Sequence, residues 1–235
     1  MARIMKPITE YRHASAEESA ARLAAHVAAI LEDAIARRGA AFIAVSGGST
    51  PALLFDRLSE IPLDWARVTV AQVDERWVDP ASPDSNQHLI RHHLLQNAAS
   101  AANFVPMHQG ASDARQGQAA YERILCAMPG PFDVILLGMG NDGHTASLFP
   151  AAPELDAGLA GAALCLALTP PAASHQRLTL SLAGLLRSRL LVLQLQGAAK
   201  EAVYRAAIGE GAVADMPVRA VLRQEHVPVE VWFSA

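Results

Sequence analysis

FDVILLGMGNDGHTASLFP, residues 132–150, is the segment on which the reading of the fold turns. Its apolar run over 132–137 predicts a strand buried on both faces, the pattern of a parallel sheet covered by helices. A glycine-dense turn follows, carrying Asp142 and His144, and then a short helix closed by Pro150 is predicted. In an open α/β sheet, ligands sit beyond the carboxyl ends of the strands, where such turns lie. An ionisable pair there is placed for chemistry rather than packing.

The flanking sequence repeats the strand–turn–helix pattern. Ser15 and Glu18 form a capping box ahead of Leu23, Val27, Ile30, Leu31, Ala34 and Ile35 on one helical face, which Arg37, Arg38 and Gly39 close. A strand is predicted at 42–45, with Thr50 capping the next helix and Pro51 at its first position. Another strand over 68–73 ends in Asp74-Glu75-Arg76. Further helices are predicted at 86–95, 112–128 and 198–208, and further strands at 104–107, 164–168, 178–182, 190–195 and 227–233. This alternation defines the α/β class with a mostly parallel sheet. Pro170-Pro171 is the clearest punctuation, yet neither half holds a balanced set of elements, so one domain over 1–235 is expected.

Composition narrows the functional classes. The chain has 235 residues, 51% apolar and 18% charged, which excludes a disordered chain. A formal charge of −4 without any basic run leaves no footprint for nucleic acid. No segment reads as a secretory leader or a bilayer span, so no membrane partner and a cytoplasmic location are expected. Cys126 and Cys165 form no CxxC and are expected to be buried free thiols in a reducing compartment. Lysine occurs only as Lys6 and Lys200, against 17 arginines. A task needing an ammonium group beyond the N-terminal arm therefore falls to Lys200.

Several loops carry candidate chemistry. In SGGST (46–50), Gly47 and Gly48 let the backbone approach a ligand, and free N–H groups with the helix dipole favour an anion such as phosphate. Ser46, Ser49 and Thr50 flank them, and no GKS or GKT follows, so this is not a P-loop. GMGNDG (138–143) matches GxGxxG formally, but the next strand has no acid at its end and the following helix is too short for a dinucleotide site. His144 is a candidate base, with Asp142 to hold its tautomer. Backbone N–H groups of the 138–143 turn, Gly140 and Asn141 included, are candidates to receive an oxyanion. Asp74 and Arg76 add an acid and a guanidinium to the same rim. Arg177 and Lys200 are candidate phosphate clamps. His88 and His92, spaced i, i+4, lack an HExxH glutamate, and no metal is predicted. No GxSxG elbow is present.

Taken in order, AVSGGSTP (44–51), VDERWV (73–78) with SN at 85–86, LLGMGNDGHTASLFP (136–150), RLTLS (177–181) and GAAK (197–200) resemble the 6-phosphogluconolactonase family over about residues 40 to 200. The resemblance implies a three-layer α/β/α modified Rossmann-like fold, no cofactor, and hydrolysis of 6-phosphoglucono-δ-lactone in the oxidative pentose phosphate pathway. It also implies a phosphate held by Ser46 to Thr50, Arg177 and Lys200, with His144 as base, Asp142 as its neighbour and Arg76 on the substrate. Asp74 is given no clear task, because its counterpart in the related glucosamine-6-phosphate deaminases transfers a proton that lactone hydrolysis does not need. Those relatives typically read DEY where this chain has Asp74-Glu75-Arg76. They also carry a glutamate where it has Ser147-Leu148-Phe149. The alternatives are such a deaminase and a sugar-phosphate sensor without turnover. A monomer or small homo-oligomer is expected.

Overall fold

The computed structural model describes residues 8–171 and 173–235, so Lys6 lies outside the described residues. The first half holds β1 (Thr9–His13), α1 (Ala16–Arg38), β2 (Ala41–Val45), α2 (Pro51–Ser59), β3 (Val68–Gln72), β4 (Asp74–Arg76), α3 (Asn86–His93), β5 (Asn103–Val105) and α4 (Ala114–Ala127). The second holds β6 (Val134–Leu137), α5 (Leu155–Ala160), β7 (Cys165–Leu168), β8 (Arg177–Leu180), α6 (Leu182–Leu186), β9 (Leu191–Gln196), α7 (Ala198–Ile208), α8 (Val218–Arg223) and β10 (Val229–Ser234).

Seven strands form one sheet in the order β1-β10-β9-β6-β2-β3-β5, and every pairing is parallel. Side chains alternate between its faces, so each central strand feeds two cores. Ile43, Val45, Val134 and Leu136 pack with Leu23, Val27, Leu54 and Phe55 of α1 and α2. Ala44, Ile135 and Leu137 face the opposite way, toward Tyr121 and Leu125 of α4 and Tyr204 of α7. The α/β fold with helices on both faces is therefore as the sequence implies. Strand order reverses between β2 and β6, and the loops leaving those strands open the crevice in which such sheets bind ligands.

A second, three-stranded antiparallel sheet, β4-β8-β7, was not foreseen. The strand expected at 68–73 ends at Gln72, and Val73 becomes a joint between the sheets. Its N–H donates to Val45 O at 2.9 Å, while its carbonyl accepts from Leu180 N at 2.7 Å. Asp74-Glu75-Arg76, read as a charged rim, is itself a strand opposite Thr179, Leu178 and Arg177. Three residues are too few to show a period.

Glu75 holds this joint in place. It is 1% exposed and accepts from Gln72 Nε2 (2.7 Å), Arg76 N (2.7 Å), Ser85 Oγ (3.0 Å), Asn86 N (2.8 Å) and Gln87 N (2.7 Å). Burial pushes its carboxyl above the usual carboxylate value, against the pull of these donors. One carboxylate thus fastens the end of β3, the start of β4 and the N-terminus of α3.

Local signals were read correctly at α1. Ser15 Oγ accepts from Glu18 N at 3.1 Å, and Gly39 closes the helix at φ 78°. Other expectations need correction. The short helix expected between His144 and Pro150 does not form. Thr145 Oγ1 donates to Gly138 O (2.8 Å), Ser147 N to Thr179 Oγ1 (3.0 Å), and Ala146 sits at φ 52°, so tertiary partners draw the chain out of helical geometry. Thr50 occupies the N-cap position of α2 but has helical φ (−64°) and makes no side-chain cap bond. The strand expected at 178–182 starts at Arg177 and stops at Leu180, because Ser181 caps α6 by accepting from Gly184 N. Cys165 is buried, but Cys126 is exposed, on the solvent side of amphipathic α4. Strand β1 and helices α5, α6 and α8 went unrecognised. Among the described residues no helix is long and apolar enough to cross a membrane.

Removing the Glu75 carboxylate by Glu75→Ala should strand several buried donors at once and lower stability by about 3 kcal/mol or more. Urea denaturation measures this, and an unshifted midpoint would show that the joint does not depend on Glu75.

Candidate active site

Beyond the carboxyl ends of β2, β6 and β9 lies a cleft of about 410 Å³, walled on one side by β4 and β8. One part of it presents donors without partners among the described residues. The N–H of Ser46 continues the sheet, donating to Leu136 O at 3.0 Å, while its hydroxyl is buried without a partner among the described residues. The N–H groups of Gly47, Gly48 and Ser49 meet no acceptor among the described residues. Gly48 has φ 112°, which a side chain would strain, and Gly47 lies against Asn86, whose Oδ1 would be 1.9 Å from an added Cβ. The uncapped N-terminus of α2 follows, and its dipole favours negative charge.

Cations complete this region. Arg177 is 9% exposed, and its Nε and Nη1 are buried with no hydrogen-bond partner among the described residues. Burial lowers its pKa, Asp74 raises it, and the nearby Arg76 lowers it again. Lys200, in the first turn of α7, donates from Nζ to Met139 O at 2.7 Å. Desolvation lowers its pKa and Asp142 opposes that shift.

The turn after β6 carries the ionisable pair. Asp142 Oδ1 accepts from the backbone N–H of His144 at 3.1 Å and stands 2.6 Å from its ring Nδ1. Partial burial works to raise the Asp142 pKa, but the His144 hydrogen bonds and charge outweigh it and hold the carboxyl below its usual value. An ionised Asp142 selects the tautomer with a proton on Nδ1, leaving Nε2 as the basic atom. The imidazole stacks on Phe149 with ring centroids 4.0 Å apart. Gly140 is required beneath the pair, since an added Cβ would lie 2.1 Å from His144 Nδ1 and 2.4 Å from Asp142 Oδ1. The turn is not an open nest of donors, however. Gly140 N donates to His144 O (2.8 Å) and Gly143 N to Gly140 O (3.2 Å), so those two N–H groups are not available to an oxyanion.

Asp74 and Arg76 enter from β4. Asp74, 8% exposed, accepts from the Ser147 hydroxyl at 2.7 Å. Arg76 Nη1 donates to Asp84 O (3.0 Å) and Asn86 Oδ1 (2.5 Å). The cleft therefore gathers Ser46 to Thr50, Asp74, Arg76, Gly140, His144, Arg177 and Lys200. Asn141 is exposed and off the cleft wall, and Asp142 touches it only through His144. His88 and His92 stack on each other at 3.9 Å, away from the cleft. Among the described residues there is no group of three or more His, Cys, Asp or Glu side chains suited to a metal ion.

Asn86, Ser147, Phe149, Gln194 and Gln196 also line the cleft and were not singled out as site residues. The glutamines carried a readable signal: in LVLQLQ the polar residues recur with period two at a strand's carboxyl end. For Ser147 and Phe149 no such signal exists.

A polar cleft at the switch point of a parallel sheet, with a carboxylate-held imidazole and unpaired anion donors, defines an α/β enzyme acting on a small anionic substrate. The chain belongs to the family of glucosamine-6-phosphate isomerases and 6-phosphogluconolactonases, which it matches over residues 14–232. It is 44% identical over 211 residues to a 6-phosphogluconolactonase of Pseudomonas aeruginosa, covering 89% of each chain. It is 43% identical over 222 residues to that of Pseudomonas putida, covering 94% of this chain and 90% of the relative. A crystal structure of a 6-phosphogluconolactonase from Shewanella baltica superposes with a TM-score of 0.95 at 43% identity, covering 99% of this chain and all of the other.

Inorganic phosphate should raise the melting temperature by filling the unpaired donors. Because desolvation depresses Lys200, the gain should shrink with rising pH before the usual lysine range of about 10.4 is reached. A phosphate-induced shift that stays constant up to that range would remove Lys200 from the anion site.

Proposed function

We propose that this enzyme hydrolyses 6-phosphoglucono-δ-lactone to 6-phosphogluconate, in the cytoplasm, as a step of the oxidative pentose phosphate pathway. The observation that carries the reading is the Asp142–His144 pair, at 2.6 Å, on the wall of a cleft whose Ser46 and Arg177 donors are unpaired. Its sugar-phosphate chemistry is supported by the names of the relatives in the family.

In this mechanism the phosphate sits against the 46–50 loop, Arg177 and Lys200, which turns remote binding energy into orientation of the lactone carbonyl. His144 Nε2 takes a proton from a water as its oxygen bonds to C1. Asp142 stabilises the imidazolium that forms. Collapse of the tetrahedral adduct breaks the bond between C1 and the ring oxygen, and the imidazolium returns its proton to that oxygen. The product carboxyl group then ionises. The charge developing on the carbonyl oxygen falls to a donor other than the Gly140 and Gly143 N–H groups, while Arg76, on the cleft wall, contacts the anionic end of the substrate. A δ-lactone is an activated ester, so neither a covalent nucleophile nor a Lewis acid is needed.

Asp74 has no proton transfer to perform here. Its carboxylate accepts the Ser147 hydroxyl, and the stretch in which the resemblance expects a deaminase to carry a ring-opening glutamate reads Ser147-Leu148-Phe149 here, without one. That departure weighs against a deaminase. The intact Asp142–His144 pair weighs against a sensor without turnover.

His144→Ala should lower kcat at least about 100-fold with little change in KM. Near-normal kcat in a coupled lactonase assay would remove His144 as the base. Lys200→Ala should mainly raise KM, by about tenfold, and unchanged kinetics would put the phosphate elsewhere.

A further inference from the structure

Asn86, the first residue of α3, is 1% exposed and lines the cleft. Its planar amide touches three of the site's parts. Nδ2 donates to Asp74 O at 2.9 Å and lies 3.4 Å from Asp74 Oδ1. Oδ1 accepts from Arg76 Nη1 at 2.5 Å. The same oxygen lies against the backbone of Gly47, within 1.9 Å of where a Cβ would be. The backbone N–H of Asn86 is in turn held by Glu75 Oε1 at 2.8 Å, so the amide cannot drift with its helix.

What matters chemically is that this holder is neutral. Arg76 stands directly opposite Arg177 in the antiparallel ladder, an arrangement of like charges that destabilises a strand pair by itself. A carboxylate at position 86 would relieve that repulsion, but it would also cancel the positive charge on which an anion depends. An amide oxygen fixes the direction of the guanidinium and leaves its charge available to a ligand. Its contact with Gly47 sets the spacing between that guanidinium and the anion loop.

We propose that Asn86 is a positioning residue that aims Arg76 at the anionic substrate and fixes its distance from the 46–50 loop. The inference rests on the lactonase reading of the cleft and adds a determinant of substrate affinity to it.

Asn86→Asp is the discriminating variant, because it keeps the side chain's shape and changes only its charge and donor pattern. The lactone KM and the inhibition constant of inorganic phosphate should both rise at least about tenfold, with kcat within about threefold of the native value. Asn86→Ala should move both constants in the same direction, and it carries the test if the aspartate variant does not fold. Constants within about twofold of native for a folded Asn86→Asp would reduce Asn86 to a filler and overturn the proposal. A fall in kcat at unchanged KM would do so too, by placing its effect on the His144 pair. Phosphate binding that weakens on substitution in a native chain without lactone turnover would sink the catalytic reading while leaving Asn86 in its role.

Discussion

Two guanidinium groups held across from each other in a partly buried wall impose the constraint around which the rest of the site is organised. Arg76 and Arg177 occupy paired positions on β4 and β8. Arg76 works against the charge on Arg177, and Arg177 keeps two buried nitrogens, Nε and Nη1, without a hydrogen-bond partner among the described residues. Desolvation, the first influence on Arg177, disfavours its charge further, and Asp74 offsets only part of this. Unpaired buried donors and like-charge pairs are both costly in a folded chain. Under the proposed function an incoming anion would offset both costs, which is how a binding site differs from a structural ion pair.

That constraint is met because the chain leaves one sheet for another at a single residue. Val73 gives its N–H to β2 and its carbonyl to β8, so the strand that follows faces the cleft formed by the carboxyl ends of the parallel strands. Glu75 then gathers the N-terminus of α3 to this corner. The cost of burying its carboxylate is shared among five hydrogen bonds. Backbone accuracy at one corner thus sets the direction of Arg76 and Asn86 together, and a loop alone would leave both side chains freer.

The sequence made some of this legible and hid the rest for identifiable reasons. Glycine turns after apolar runs announced the two switch-point loops, since close approach of a side chain requires Gly47 and Gly140 and a φ of 112° requires Gly48. Histidine beside aspartate two residues away in such a turn was equally readable. The second sheet was not, because β4 has three residues and its pairing with β8 spans about a hundred positions of sequence. The helix expected before Pro150 failed for a related reason: the Thr145 hydroxyl and the Ser147 N–H bond to Gly138 and Thr179, far along the chain or outside a helical ladder. Local propensity cannot anticipate a distant hydroxyl. Asn86 was visible as a helix start, but its contacts with Arg76 and Gly47 exist only once the sheets are assembled.

The glycines then connect recognition to reactivity. Gly47 admits Asn86 to the anion loop, and Gly140 admits the His144 ring to its own turn. Each removes a Cβ at the one place where a functional side chain must lie flat on backbone. In both cases the side chain so admitted is fixed by a second partner, Arg76 for Asn86 and Asp142 for His144. The cleft therefore has two rigid poles on separate loops of one sheet edge, and their separation is set by the β2–β6 pairing. Under the proposed function, a substrate long enough to touch both would gain orientation from that spacing, and one lacking its anionic end would lose it. Substrate selection in such a site follows from strand register as much as from the residues that make contact.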